Sequence, residues 1–435
     1  NHLYIWRRNN FFFFEFVCTQ RSNTMEAEHG NPYDIDIDAI DVSQPEYFQN
    51  ETIGLYFKRL RNEQPIHYCA NSRFGPYWSV TRFNDIMAID KDHQNFSSDA
   101  FLGGIQMTDF PKGMERSNFI NMDPPEHDAQ RKVVSPIVAP SNLANMEGTI
   151  RKHVIDILDQ LPNGEVFDWV DKVSIELTTR MLATLFDFPF EQRRKLTYWS
   201  EVASADLATS DEIKTEEQRI TALGECLLTF KQLMTERANL PAKNDLISML
   251  AHSSMVNMDD QQFLSTLILL IIGGNDTTRN SISGGLLALI ENPEEFAKLR
   301  ENPILVNSLV PEIIRWQTPL THMRRTTTKE VEVSGVTIPA GAKVVMWYLS
   351  GNRDEQAIEN PDQFIIDRKN PRHHLSFGFG IHRCVGNRLA EMQIRVLWEE
   401  ILSRNLTFEL AGEPQRTLSN VIHGINTMPL RVTRP

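Results

Sequence analysis

The stretch DDQQFLSTLILLIIGGNDTTRNSISGGLLALIENPEEF places the strongest constraint on the fold. A helix with one apolar stripe can lie on a surface, whereas a helix apolar all round needs neighbours all round. From Phe263 to Ile272 nearly every face is apolar, so this helix is expected to be buried. It does not read as a membrane span. Asn275 and Asp276 interrupt the run well short of the ~20 apolar residues a bilayer requires. Gly273 and Gly274 fall mid-helix, where each glycine costs about 1 kcal/mol relative to alanine. A packing groove alone would account for the glycines. Asp276 and Thr277 are harder to place in so apolar a helix, because buried polar groups need partners.

The surrounding chain fits a helical shell around that element. Residues 127 to about 320 follow mostly helical periodicity, with one further helix near Asn307–Gln317 and another near Asn387–Leu402. Strand signals are fewer. PIHYCA and YWSVTRF read as two strands joined by a turn at NSRFG. EVEVSGVTIPAGAKVVMWYLS reads as a small antiparallel sheet, and NLTFEL with VIHGINTMPLRVT as a further strand pair. A long Gly- and Pro-containing loop, Ser97 to His127, also carries Phe, Leu, Ile and Met. Long loops of this kind are usually functional or disordered, and the apolar content favours packing over a ligand. The expectation is a mainly α fold with a minor antiparallel β region and a single domain over residues 31–435. No regular βα alternation supports a doubly wound sheet. Residues 1–30 are expected to be an extension outside that domain. Residues 1–24 precede Met25 and read as sequence upstream of the true start; a weak membrane-surface anchor is the rival reading.

Charge and cysteine use narrow the function. Of 435 residues, 57 are acidic and 44 are Lys or Arg, giving a net charge of -13. Without a basic tract, this balance argues against a nucleic-acid partner. The four cysteines, Cys18, Cys69, Cys226 and Cys384, are isolated from one another. No CxxC pair suggests a zinc or iron–sulfur centre, and a reducing cytoplasmic compartment fits.

SFGFGIHRCVGNRLAE, Ser376 to Glu391, poses the central chemical question. GxxxxGK[ST] is absent, and Gly378, Gly380 and Gly386 miss the GxGxxG spacing of a dinucleotide turn. A plain helix-capping turn would explain GFG by itself. Cys384 argues for more, since it stands just before a helix beginning near Asn387. The positive helix end and its unpaired N–H groups favour a thiolate there. One thiolate, presented by a tight glycine turn with no second sulfur nearby, suits an axial ligand on haem iron.

FGFGIHRCVG resembles the haem-binding signature of the cytochrome P450 superfamily, FGxGxHxCxG, at Phe377, Gly378, Gly380, His382, Cys384 and Gly386. Three further motifs follow the family's order, and the resemblance spans roughly Pro32 to Arg434. It implies the family's fold, haem b (iron protoporphyrin IX) as cofactor and Cys384 as metal ligand. In GGNDTT, it implies that Gly273 lets the helix pass close to the haem, while Asp276 and Thr277 deliver protons during dioxygen activation. In EIIR, it implies a structural network of Glu312 and Arg315 with Arg368. In HDAQR, it implies that His127 and Arg131 hold a haem propionate, joined by Arg325 and His374. Two carboxylates in an apolar pocket do need cationic, hydrogen-bonding partners.

FINMDPPEHDAQRKVVSP, LIIGGNDTTRNS and FGFGIHRCVGNRLAEMQ look most like the soluble bacterial alkane and fatty-acid terminal hydroxylases. This similarity implies hydroxylation of an apolar small molecule with O2, terminal for medium-chain n-alkanes. Fatty-acid omega-hydroxylation and terpene or steroid hydroxylation are the alternatives. Substrate-pocket candidates are Leu269, Ile272, Gly273, Thr321, Met323 and Ile425, with the Phe101–Met107 loop adding apolar surface. Electrons are expected from a separate ferredoxin and an NAD(P)H-dependent ferredoxin reductase, docking at Lys132, Arg383 and Arg388; a monomer is expected. A haem carrier, a haem sensor or a peroxygenase would be expected to lack the Asp276–Thr277 pair.

Overall fold

A computed structural model describes residues 31–109, 118–205, 207, 213–253 and 258–434. The expectations for residues 1–30 lie outside the described residues.

The apolar stretch forms one helix, Asp260–Glu291, of 32 residues; at 1.5 Å per residue it is about 48 Å long. Asp259 caps it, its carboxylate accepting the Gln262 N–H at 2.8 Å. Leu267, Ile271, Leu286 and Leu289 are each 0% exposed, so this central helix is enclosed on several sides. A second glycine pair, Gly284 and Gly285, allows the helix Val306–Gln317 to approach closely. A Cβ on Gly284 would stand 1.9 Å from Gln317 Oε1, and one on Gly285 would stand 2.6 Å from Ile313 Cδ1. Helices Glu176–Phe186, Arg194–Ser204 and Asn387–Ser403 pack around the same core. Among the described residues, no helix is long and apolar enough to cross a membrane.

The β region is minor but not wholly antiparallel. Five strands form one sheet in the order Ile66–Cys69, Tyr77–Val80, Lys343–Trp347, His322–Thr327, Phe96–Ser97. Tyr77–Val80 pairs in parallel with Lys343–Trp347, with Trp78 opposite Val344. The expected small sheet over residues 330–350 is therefore split. Val331–Val333 and Val336–Ile338 make an isolated hairpin, whereas all five residues of Lys343–Trp347 are buried. KVVMW behaves as a central strand covered on both faces, a run that reads as near-continuous burial. Near the carboxyl end, Pro429–Thr433 pairs with Thr407–Leu410 and also with Val166–Asp168.

Among the described residues, the long loop after Ser97 contains two short 3-10 turns, Ala100–Leu102 and Phe119–Asn121. Only part of its apolar content turns inward. Phe101 is 76% exposed, while Met107 is 3% exposed.

Candidate haem and substrate site

A cavity of about 1830 Å³ is lined both by the cysteine turn, including Phe377, His382, Cys384 and Gly386, and by the central helix. Two positive-φ residues, Gly378 (63°) and Gly380 (65°), bend the turn, a backbone region that glycine enters without steric cost. The Cys384 N–H donates to Phe377 O at 2.8 Å, and the Gly378 N–H to Leu375 O at 2.7 Å. Ser376 Oγ donates to Ile314 O at 2.8 Å, anchoring the turn to the helix Val306–Gln317.

Cys384 is exposed because it opens onto this cavity. Burial pushes its thiol up, opposed by the Gly386 N–H, the Arg131 and Arg383 guanidiniums and the Asn387 N–H. The N–H groups at the helix start favour the thiolate as expected, but desolvation outweighs them. A coordinated metal ion reverses that balance by deprotonating a thiol outright. Among the described residues, no group of three or more His, Cys, Asp or Glu could hold a metal ion. The site therefore offers one sulfur rather than a cage.

Cationic and imidazole groups gather near the turn. Arg131, Arg325 and His382 line the cavity, and His127 packs edge-on to His382 with ring centroids 4.6 Å apart. His127 Nε2 and both ring nitrogens of His382 are buried without a hydrogen-bond partner. Buried polar atoms rarely go unpartnered. Carboxylates reaching into this corner would accept the ring N–H groups among them, which is what haem propionates supply. His382 is held neutral, its pKa pushed down to about 2 by burial and by the charge of Arg325. The sulfur and these nitrogens fit a haem.

A cytochrome P450 model matches residues 211–430. The chain belongs to the cytochrome P450 family. Its cofactor is a cysteine-thiolate-ligated haem, and its activity is that of a P450 monooxygenase. Linalool 8-monooxygenase of Pseudomonas putida is 32% identical over 398 residues, covering 89% of this chain and 97% of the relative. Cytochrome P450-153 from Novosphingobium aromaticivorans superposes with a TM-score of 0.85 at 42% identity, covering 90% of this chain and 99% of that one. CYP153D17 from Sphingomonas sp. PAMC 26605 gives a TM-score of 0.85 at 44% identity, with coverages of 92% and 100%.

In this P450, the residues expected from sequence fall into two groups. Leu269, Ile272, Gly273, Asp276, Thr277 and Met323 line the cavity. Thr321 and Ile425 do not. Thr321 Oγ1 is buried and donates to Asn420 O. The Ile425 N–H donates to Asn280 Oδ1 at 2.9 Å, and the Ile425 side chain joins the core. His374 and His127, both expected as propionate partners, stand back from the lining. His374 is 5% exposed, and its ring is tilted against Phe377 with centroids 5.4 Å apart. Its Nδ1 lacks a partner, but His382 is the histidine that reaches the cavity. His382 is itself a signature position of the cysteine turn.

Glu312, Arg315 and Arg368 form one buried network. Glu312 accepts from Arg315 Nε and Nη2 at 2.8 Å each and from Arg368 Nε at 2.9 Å. Arg315 also donates to Asn352 O, Pro361 O and Gln363 O. Asp276 Oδ2 accepts from Ser200 Oγ at 3.1 Å, and Oδ1 lies 3.3 Å from Arg279 Nη2. Arg279 reaches on to Glu201 at 3.0 Å. The residue that motif reading missed is Asp90, a buried carboxylate touching both Arg325 and the cysteine turn.

Proposed function

We propose that this P450 hydroxylates the terminal carbon of medium-chain n-alkanes or their derivatives, giving primary alcohols. The single supporting observation is the apolar lining of the cavity that Thr277 shares. Leu269, Ile272, Ile268, Met323, Ile105 and Met107 all line it, and apolar walls favour hydrocarbon over polar ligands. Bound haem iron supplies dioxygen activation and oxygen insertion, and thiolate ligation favours O–O cleavage. Overall, one C–H bond, O2, two electrons and two protons give one hydroxyl and one water.

The chain's own residues take up the remaining tasks. Cys384 holds the metal; Arg131 and Arg325 neutralise the propionates, and His127 and His382 help orient them. Gly273 keeps the helix from filling the cavity, since a Cβ there would meet nothing within 4 Å. Thr277 presents a hydroxyl to the cavity, and Asp276 with Arg279 and Glu201 supplies it with protons. The Glu312–Arg315–Arg368 network shapes the chain around the turn. Apolar walls orient the substrate and exclude water. A ferredoxin reduced by an NAD(P)H-dependent reductase supplies electrons. Exposed Lys132, Arg383 and Arg388 form its dock despite the net acidity. Charge reversal at Arg388 is expected to slow reduction while leaving the haem spectrum unchanged.

Relatives named linalool 8-monooxygenase and steroid C26-monooxygenase favour terpene or steroid hydroxylation as the second reading; fatty-acid omega-hydroxylation is the third. Product analysis with an n-alkane, a matched fatty acid and linalool, driven by a surrogate ferredoxin system, separates them. Primary alcohol from the alkane is expected. Mostly subterminal alcohols, or turnover of linalool alone, would overturn the terminal reading.

A further inference from the structure

We infer that Asp90 is a positioning residue for the haem site, coupling Arg325 and the cysteine-bearing turn through one carboxylate. This rests on the assignment of Arg325 to a propionate. Asp90 is the penultimate residue of the helix Phe83–Lys91 and is 2% exposed. Its Oδ1 lies 3.0 Å from Arg325 Nη2, and its Oδ2 accepts the Phe379 N–H at 3.0 Å. Tyr348 donates its hydroxyl to the same carboxylate, 3.0 Å from Oδ2 and 3.2 Å from Oδ1. Three partners from three distant parts of the chain thus meet on one acidic group.

The helix end fits the turn by shape as well as by charge. A Cβ on Gly380 would stand 2.2 Å from the Asp90 carbonyl oxygen, and one on Gly378 would stand 3.2 Å from Asp90 Oδ2. The two signature glycines therefore allow the turn to seat against Asp90, with Phe379 between them bound to its carboxylate. Arg325 lines the cavity while its guanidinium is held from behind. Its orientation toward a propionate and the placement of Cys384, five residues after Phe379, are set by the same group.

Groups that orient a metal site from behind typically change affinity or activity by roughly 10–100-fold when removed. The test uses haem-loaded Asp90→Asn, Tyr348→Phe and Arg325→Gln proteins. It reads the rate of haem loss to an acceptor apoprotein, the reduction potential and the spectrum of the reduced carbon-monoxide complex. Asp90→Asn is expected to lose haem roughly 10–100-fold faster. Its potential is expected to shift positive, because Arg325 then faces the haem without its counter-charge, and more of its carbon-monoxide complex should fall into the thiolate-free form. Tyr348→Phe is expected to shift each reading the same way by less, and it carries the test if Asp90→Asn does not fold. Wild-type haem loss, potential and spectrum in a folded Asp90→Asn or Tyr348→Phe protein, beside a perturbed Arg325→Gln, would overturn the role of Asp90 alone. Wild-type behaviour of Arg325→Gln would instead overturn the propionate assignment beneath it.

Discussion

Thr277 Oγ1 lies 2.9 Å from the carbonyl oxygen of Gly273, one turn earlier on the central helix. The hydroxyl proton is engaged by the backbone, so the oxygen's lone pairs are left to receive a proton from elsewhere. Asp276, its neighbour, is 2% exposed and is held by Ser200 and Arg279.

Separating the roles of these two residues gives the first prediction. Asp276→Asn should slow hydroxylation by about 10²-fold or more, the scale of a lost proton-transfer group. Thr277→Ala should keep consuming reductant while forming less product. Product formed per NAD(P)H oxidised, measured beside the haem spectrum, checks both.

The adjacent glycines should respond differently. A Cβ on Gly273 meets nothing within 4 Å, whereas one on Gly274 would stand 2.7 Å from Leu182 Cδ2. Gly273→Ala should keep or raise thermal stability, by up to about 1 kcal/mol from helix propensity, and shift the product distribution. Gly274→Ala should lower stability unless Leu182 rotates away. Paired melting and product analyses read both effects.

Glu312 is 0% and Arg315 1% exposed. Removing one partner strands a buried charge, at a cost of about 3–5 kcal/mol. Glu312→Ala, which takes the paired carboxylate from the buried Arg315 guanidinium, should therefore lose that much stability in denaturant titrations and yield little haem-loaded protein. Exposed pairs such as Lys195–Glu225 should each contribute below about 1 kcal/mol.

His322 offers a pH prediction. Burial lowers its pKa from 6.5 to about 4, and a hydrogen bond to Asn420 O raises it only partly. The folded state thus holds the ring neutral while the unfolded chain takes up a proton. The stability is fully present above about pH 6.5 and is lost as pH falls toward 4, amounting to about 3 kcal/mol. His322→Gln should flatten the acid-side fall in unfolding free energy, read by urea titration, by that amount relative to wild type.

What could be read from the sequence was whatever chemistry lies in short contiguous stretches. The turn at Phe377–Gly386, the Gly273–Thr277 segment and the Glu312–Arg315 pair carry their partners within a few residues. Asp90 left no such signal, because its contact with Phe379 spans 289 residues and nothing around it forms a motif. The parallel pairing of Trp78 with Val344 was hidden for the same reason. Thr321 and Ile425 are both buried away from the cavity lining, through contacts with Asn420 and Asn280, 99 and 145 residues distant. His374 and His382 lie eight residues apart, and local spacing could not show which ring reaches the cavity.

The most direct test of the account is the absorption spectrum of the reduced, carbon-monoxide-bound protein beside that of Cys384→Ala. Cys384 as the axial thiolate predicts the red-shifted haem-thiolate Soret band in the native protein and its loss in the variant. A native protein without that band, or a Cys384→Ala variant that retains it, would contradict the assignment.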